Sequence, residues 1–424
     1  MTFNKADILL PRFSKDSDKM NKWSVVACDQ YTSQPEYWAN VSETVGEAYS
    51  TFRLTVPEFY LNDADIDERI ANVNRAMDKY LAEDVFVEYK NTYIYVERTL
   101  ANGVVRKGVV GAVDLEDYDY SVGSKTKIRA TEGTVVSRIP PRLKVRRNAV
   151  IELPHIMMLI DDEKCDIIES NSAVKGSFEV VYDFDLMQNS GHITGYKMSR
   201  EAAEAFDKKL AALDDISLFN AKYGVNETNP LIFAMGDGNH SLATAKAYYE
   251  NLKEDIGDEK AKNIPARYAL CELVNLHDES LVFEAIHRVI FGIDGENYLK
   301  ELGEKFTLSF DENAQGQSFI FVSDGMRRKV TVITPEEYLT VATLSAFTDD
   351  YVSRHGGEVD YIHGEDVVMD LCRDNGNVGI ILDAMEKNDL YKSVILDGAL
   401  PRKTFSMGDA CDKRFYVEVR RIKN

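Results

Sequence analysis

Apolar and polar positions along this chain alternate between short strand-like runs and longer helix-like stretches. Residues 23–61 open with the aromatic-rich WSVVACDQYTSQPEYW, then a helix and a turn at Thr55–Val56–Pro57. Residues 66–82 read as a helix. Residues 85–113 read as strands with a hairpin at Ala101–Asn102–Gly103, because Asn-Gly favours the positive φ angles of a tight turn. Ile156–Ile160 and Phe178–Tyr182 are strand candidates, and Ser199 can cap a helix from Arg200 to about Leu213. Leu231–Met235 is an apolar run of strand length that ends at Gly236–Asp237–Gly238. Beyond it, Leu242, Ala245, Tyr249 and Leu252 recur at helical spacing. After residue 300 comes a smaller region with a hairpin at Asp324–Gly325 and a terminal strand, Phe415–Val419.

This order predicts an α/β (α+β) protein with mixed sheets. At 424 residues the chain is too long for one ordinary core. The expected division is 1–120, 121–300 and 301–424, with the first boundary after the acidic stretch Asp114–Tyr120. With 44% apolar and 29% charged residues, the composition is that of a soluble globular protein. The longest apolar runs are far short of a membrane span, and MTFNKADILLPRFSK lacks a secretory pattern. Cys28, Cys165, Cys271, Cys372 and Cys411 lie far apart without a CxxC pair, as expected of reduced cytosolic thiols. A cytoplasmic location with no membrane partner is expected.

The net charge of −21 argues against nucleic-acid binding, which depends on neutralising many phosphates. Between Lys125 and Arg147, however, the chain turns basic. KTKIRATEGTVVSRIPPRLKVRR holds eight Lys or Arg residues and one acid, Glu132. Screening over about 8 Å at physiological salt means that an ion bound there feels mainly these local cations. The segment reads either as a basic face paired with acids elsewhere or as a site for a multiply charged anion. Pro140–Pro141 excludes a continuous helix through it.

The turn GDGNHSLATA at 236–245 is the second candidate. Glycines let the backbone approach a ligand, and the first amides of the following helix point at whatever lies above its N-terminus. Asn239, His240 and Ser241 add short polar groups there, and Asp237 offers a carboxylate for a metal ion or a proton. The simpler reading is an ordinary strand–helix turn capped by Asp. No Walker or dinucleotide spacing is present. His287–Arg288 in EAIHRVI and Arg402–Lys403 in LPRKTF read as structural groups or as pocket lining. Asp29 and Gln30 read more readily as a turn. His355 and His363 lack the tight spacing of a metal pair.

Taken in order, the opening WSVVACDQYTSQPEYW, Thr131–Glu132–Gly133 with Thr134, DGNHSLATA, His287–Arg288 and LPRKTF resemble the bacterial family called domain of unknown function 1015. The resemblance spans essentially the whole chain. It implies a central domain similar to the ParB/sulfiredoxin-like fold of free serine kinases. In those enzymes an Asp-Gly-His-x-Arg-type turn holds donor phosphates and an upstream glutamate faces the serine hydroxyl. By that resemblance Asp237, Gly238 and His240 fall on the phosphate turn, with Asn239 and Ser241 beside them, and Glu132 on the hydroxyl-facing glutamate. Asn239 and Ser241 stand where relatives usually have His and Arg. The absent Arg removes a bidentate phosphate donor, which Arg138, Arg142 or Arg288 would have to replace.

The expected activity is phosphorylation of a small hydroxy amino acid, free L-serine, by pyrophosphate or by ADP or ATP. Magnesium is expected at Asp237, since it needs only one or two carboxylates besides phosphate oxygens. A compact donor such as pyrophosphate suits the short turn somewhat better, although the aromatic opening at Trp23–Tyr37 could receive a base. The competing expectation is a non-catalytic sensor of nucleotides or phosphometabolites.

Overall fold

The computed structural model describes residues 1–121, 123–373 and 376–423. In Ile94–Thr99 and Val105–Asp114, successive side chains point to opposite faces of a sheet. Ile94, Val96, Val110 and Ala112 enter one core with Trp23, Trp38, Phe415 and Val417. Tyr95, Val109 and Val113 enter a second core with Phe206, Leu242, Ala245 and Tyr249 from two helices. Both faces are therefore covered, which is why Ile94–Val96 and Val109–Val113 carry no polar side chain toward either face beyond the Tyr95 hydroxyl. Each large side chain fully buried in this way contributes about 1.5–3 kcal/mol.

The chain forms two compact units, Met1–Leu281 with Asp409–Asn424, and Val282–Gly408. The first unit holds a nine-stranded mixed sheet. Its site-bearing end runs Ile128–Arg129, Phe233–Asp237, Met157–Ile160, Tyr268–Asn275 and Val105–Asp114. Ile128–Arg129 is parallel to Phe233–Asp237, and Met157–Ile160 is antiparallel to it. The Asn239–Ile256 helix follows, with the Ile139–Asn148 helix packed against it. In the second unit, a six-stranded antiparallel sheet includes His287–Phe291, Gln317–Ser323 and Met326–Val332. Among the described residues, no helix is long and apolar enough to cross a membrane.

Local chemistry accounts for much of this. Ile66–Ala82 is helical, and Ser199 accepts the Ala202 amide at 3.2 Å to start Arg200–Ala211. Asp324 and Gly325, both at positive φ, turn the 317–332 hairpin.

The compact units do not follow the expected divisions after 120 and 300. Asp114 is held by Arg267 at 2.6 Å, so the chain does not leave the first unit there. The terminal residues return to that unit because Phe415, Val417 and Val419 are part of its core. The expected strand Phe415–Val419 is instead an extended segment with isolated bridges to Val26 and Leu9, and the terminal strand is Arg420–Arg421. Buried ion pairs hold the segment in place. Arg414 lies 2.9 Å from both Glu272 and Glu418, and Arg420 Nε donates to Glu152 at 2.8 Å. Gly108 makes room for Glu272, whose Oε1 would lie 2.2 Å from a Cβ there.

As expected, no continuous helix runs through the basic segment, and the prolines stand at the start of the Ile139–Asn148 helix that closes it. In a first turn the amide that proline lacks has no intrahelical partner anyway, and its fixed φ suits the helix.

Candidate functional site

The two candidate segments meet because of one parallel strand pair. With Phe233 opposite Ile128 and Ala234 opposite Arg129, both chains leave the sheet at the same end. Residues after Arg129 therefore run beside the turn at 236–238. Thr131, only 2% exposed, donates its Oγ1–H to the Met235 carbonyl at 2.7 Å. That bond delivers half-buried Glu132 beside the turn. Thr134 follows with its hydroxyl against the buried Tyr118 phenol.

Gly238 has φ +79, and a Cβ there would lie 3.0 Å from Ile156 Cα. Only glycine permits both this left-handed turn and the close approach of the neighbouring strand. The Gly238 carbonyl accepts the first helical bond, from Leu242 at 3.0 Å, so the preceding amides point out along the axis. Asp237 Oδ1 accepts the Gly238 amide at 2.8 Å, while Oδ2 lies 3.5 Å from Lys413 Nζ. Asn239 Oδ1 is buried with no donor among the described residues.

His240 accepts the Val135 amide at Nε2, 3.4 Å away, which leaves Nδ1 as the N–H. Its pKa is depressed to about 4, first by burial and then by the charges of Arg142 and Arg138, with Asp29 opposing. At neutral pH His240 is thus an uncharged group at the helix start. The two arginines flank it closely enough for their fields to be felt.

The basic segment is mostly consumed in ion pairs. Lys125 and Arg129 face Glu227, Lys127 faces Asp214, Arg142 faces Glu58, Lys144 faces Asp67 and Arg146 faces Glu152. Arg138 and Arg147 have no acidic partner among the described residues. The reading as a basic face paired with acids elsewhere accounts for most of the run. Arg142 lies beside His240, but Glu58 neutralises it.

A cavity of about 150 Å³ lies beside this helix start, lined by Cys28, Arg142, His155, Ser241, Thr244 and Tyr416 among others. His155 Nε2 is 2.8 Å from Ser241 Oγ, and its Nδ1 is 3.0 Å from the Tyr416 hydroxyl. Asp29 Oδ2 lies 3.9 Å from His155 Nε2, so Asp29 belongs to this neighbourhood and not only to a turn. The aromatic opening is largely spent on packing. Trp23 and Trp38 are core residues, and the Tyr31 and Tyr37 rings stack on each other at 3.6 Å.

The sequence profile of a family described as "Protein of unknown function (DUF1015)" matches residues 10–349. The chain belongs to the DUF1015 family. No curated protein matches it. Similar solved structures include a conserved hypothetical protein from Pyrococcus furiosus, at 11% identity and TM-score 0.36, covering 74% of this chain and 94% of that one. SbnI with a C-terminal truncation, from Staphylococcus aureus, has 9% identity and TM-score 0.35, with coverage of 73% and 81%. A free serine kinase in complex with AMP has 11% identity and TM-score 0.39, with coverage of 74% and 90%. Likeness at this distance carries no argument about the chemistry of the present chain.

The remaining candidates of this DUF1015 chain lie in its second unit. His287 Nδ1 accepts the Leu382 amide at 3.2 Å. Arg288 is buried, donates to the carbonyls of Ile286 and Lys403, and lies over the Tyr361 ring. Arg402 and Lys403 have exposed side chains and contribute carbonyls to Arg288. These contacts are structural. A set of three possible metal ligands, Asp409, Cys411 and Asp412, has atoms within 4.8 Å of one another and does not include Asp237. Sequence reading missed His155, Lys413 and Tyr416. The one available signal was a polar His between Pro154 and the apolar run 156–160.

Proposed function

We propose that this chain is a phosphotransferase that converts a small hydroxy amino acid, free L-serine, to O-phospho-L-serine, with pyrophosphate or ADP or ATP as donor. The observation that carries the reading is the Thr131–Met235 bond. It ties the residue before Glu132 to the strand that leads into a helix N-terminus, which supports a site shared by an acceptor carboxylate and an anion cradle. In the proposed step the serine oxygen attacks the terminal phosphorus of the donor. The bond to the leaving phosphate or nucleotide breaks, and the hydroxyl proton passes to Glu132. The Asn239–Ser241 amides and the neutral His240 Nδ1–H orient the phosphate. Arg138 and Lys413 supply positive charge. Asp237 fits magnesium through Oδ2 as a single carboxylate ligand, and the ion would neutralise donor charge there.

Incubation with serine, magnesium and each donor in turn, followed by mass spectrometry for phosphoserine, tests the reading. Glu132→Gln keeps the shape and removes the proton acceptor, so turnover should fall by about 10²–10⁴-fold while donor binding persists. Near-normal turnover in that variant would leave Glu132 a structural carboxylate. A second reading, a non-catalytic sensor of phosphorylated ligands, is favoured by Ser241 in place of the expected Arg and by the pairing of Arg142 with Glu58. Donor binding without phosphoserine from any donor would support that reading.

A further inference from the structure

Tyr416, His155 and Ser241 form a line of side chains from the core to the first turn of the Asn239–Ile256 helix. Tyr416 is 2% exposed and His155 6%. The order of their protons follows from what each atom can donate. The Cys28 amide can only donate, and it reaches the phenol oxygen at 3.0 Å. The phenol keeps its own hydrogen, because burial first of all holds Tyr416 well above the ordinary tyrosine range. A buried hydroxyl hydrogen is costly to leave without an acceptor. Two groups face that hydrogen, the Cys28 thiol and His155 Nδ1 at 3.0 Å, and the imidazole nitrogen is much the stronger acceptor. The imidazole hydrogen is then on Nε2, and Ser241 Oγ accepts it at 2.8 Å. Asp29 Oδ2, 3.9 Å from Nε2, favours the same tautomer. With its oxygen engaged by His155, Ser241 has its own hydrogen left to donate, at a helix start where an anion is favoured.

We infer that Ser241 donates a hydrogen bond to the phosphate of the bound donor, and that His155, set by Tyr416, is the positioning residue that holds Ser241 in that role. This rests on the anion site proposed above. It assigns to a neutral hydroxyl the place where relatives are expected to carry an arginine, and it gives His155 and Tyr416 a role that the proposed step leaves unassigned. Because His155 acts through Ser241, the two must be coupled in binding.

The test is a double-mutant cycle measured by titration calorimetry with magnesium pyrophosphate and, separately, magnesium ADP. Ser241→Ala should weaken the binding of the preferred probe by about tenfold or more, the loss typical of a hydrogen bond to a charged group. His155→Asn, whose amide ends near the Nδ1 position and cannot reach Ser241, should lose a similar factor. His155→Gln, whose amide nitrogen takes the place of Nε2, should lose less. In the Ser241→Ala background, His155→Asn should add less than about twofold. If His155→Asn fails to fold, the cycle is run with His155→Gln, and tryptophan fluorescence reports folding of each variant. Losses that simply add, or a Ser241→Ala protein that binds like the parent, would overturn the relay while leaving the anion site standing. A parent protein that binds neither probe would overturn both.

Discussion

Substituting alanine for Gly238 asks a left-handed turn to accept a side chain against a neighbouring strand. Two separate costs follow from the structure. At φ +79 an L-residue is disfavoured by about 1–2 kcal/mol. The new Cβ would also lie 3.0 Å from Ile156 Cα and 3.2 Å from Ile156 Cγ1. The first of these is backbone, pinned where the Ile156 carbonyl accepts the Glu272 amide at 3.0 Å, and cannot swing aside, so overpacking adds about 1–3 kcal/mol. The expected loss is about 2–5 kcal/mol. Gly224→Ala is the matched control, since φ is +67 there and nothing lies within 4 Å of the added Cβ. It should show only the conformational cost of about 1–2 kcal/mol. Urea titration followed by tryptophan fluorescence reads the correct unit, because the chain's 2 tryptophans, Trp23 and Trp38, are both buried in it. Equal losses in the two variants, within about 0.5 kcal/mol, would show that the strand yields and would refute the close-approach argument.

Thr131→Ala removes a buried bond to Met235 and leaves that carbonyl without the hydroxyl. Stability should fall by about 1–3 kcal/mol, and phosphoserine formation should fall further as Glu132 loses its anchor. Unchanged turnover would count against the anchoring role. His240 has a folded pKa of about 4 against an ordinary value of 6.5, so the unfolded chain binds the extra proton. Its contribution to stability is fully present above about pH 6.5 and is lost as pH falls towards 4. His240→Gln should flatten the parent's pH dependence in that window by up to one proton, as read from urea midpoints, and a parallel profile would reject the assignment. Arg414→Met strands Glu272 and Glu418 as buried carboxylates and should cost about 3–5 kcal/mol in urea unfolding, whereas a loss below about 1 kcal/mol would mean the pair is solvated.

What depended on near neighbours was legible in the sequence. The Asn-Gly hairpin at 102–103, the Ser199 cap, the Asp324–Gly325 turn and the strand–glycine–helix order around Gly238 are set by φ preferences and by side chains a few residues apart. The motif order from Trp23 to Phe405 was likewise enough to indicate the family. Pro140–Pro141 rightly excluded a continuous helix through the basic segment, but the sequence did not show that they begin a helix of their own, where proline's missing amide costs nothing. Pairing over long separations belonged to the tertiary structure alone. Arg142 was a free cation in the sequence until the fold set Glu58 against it, and Lys125 until it met Glu227. His155, Ser241 and Tyr416 lie far apart along the chain and meet because the terminal segment returns to bury its apolar residues in the first unit. Charge and hydroxyl chemistry are written in residue types. Which charges remain free and which hydroxyls donate is set by the partners that burial brings within about 3 Å.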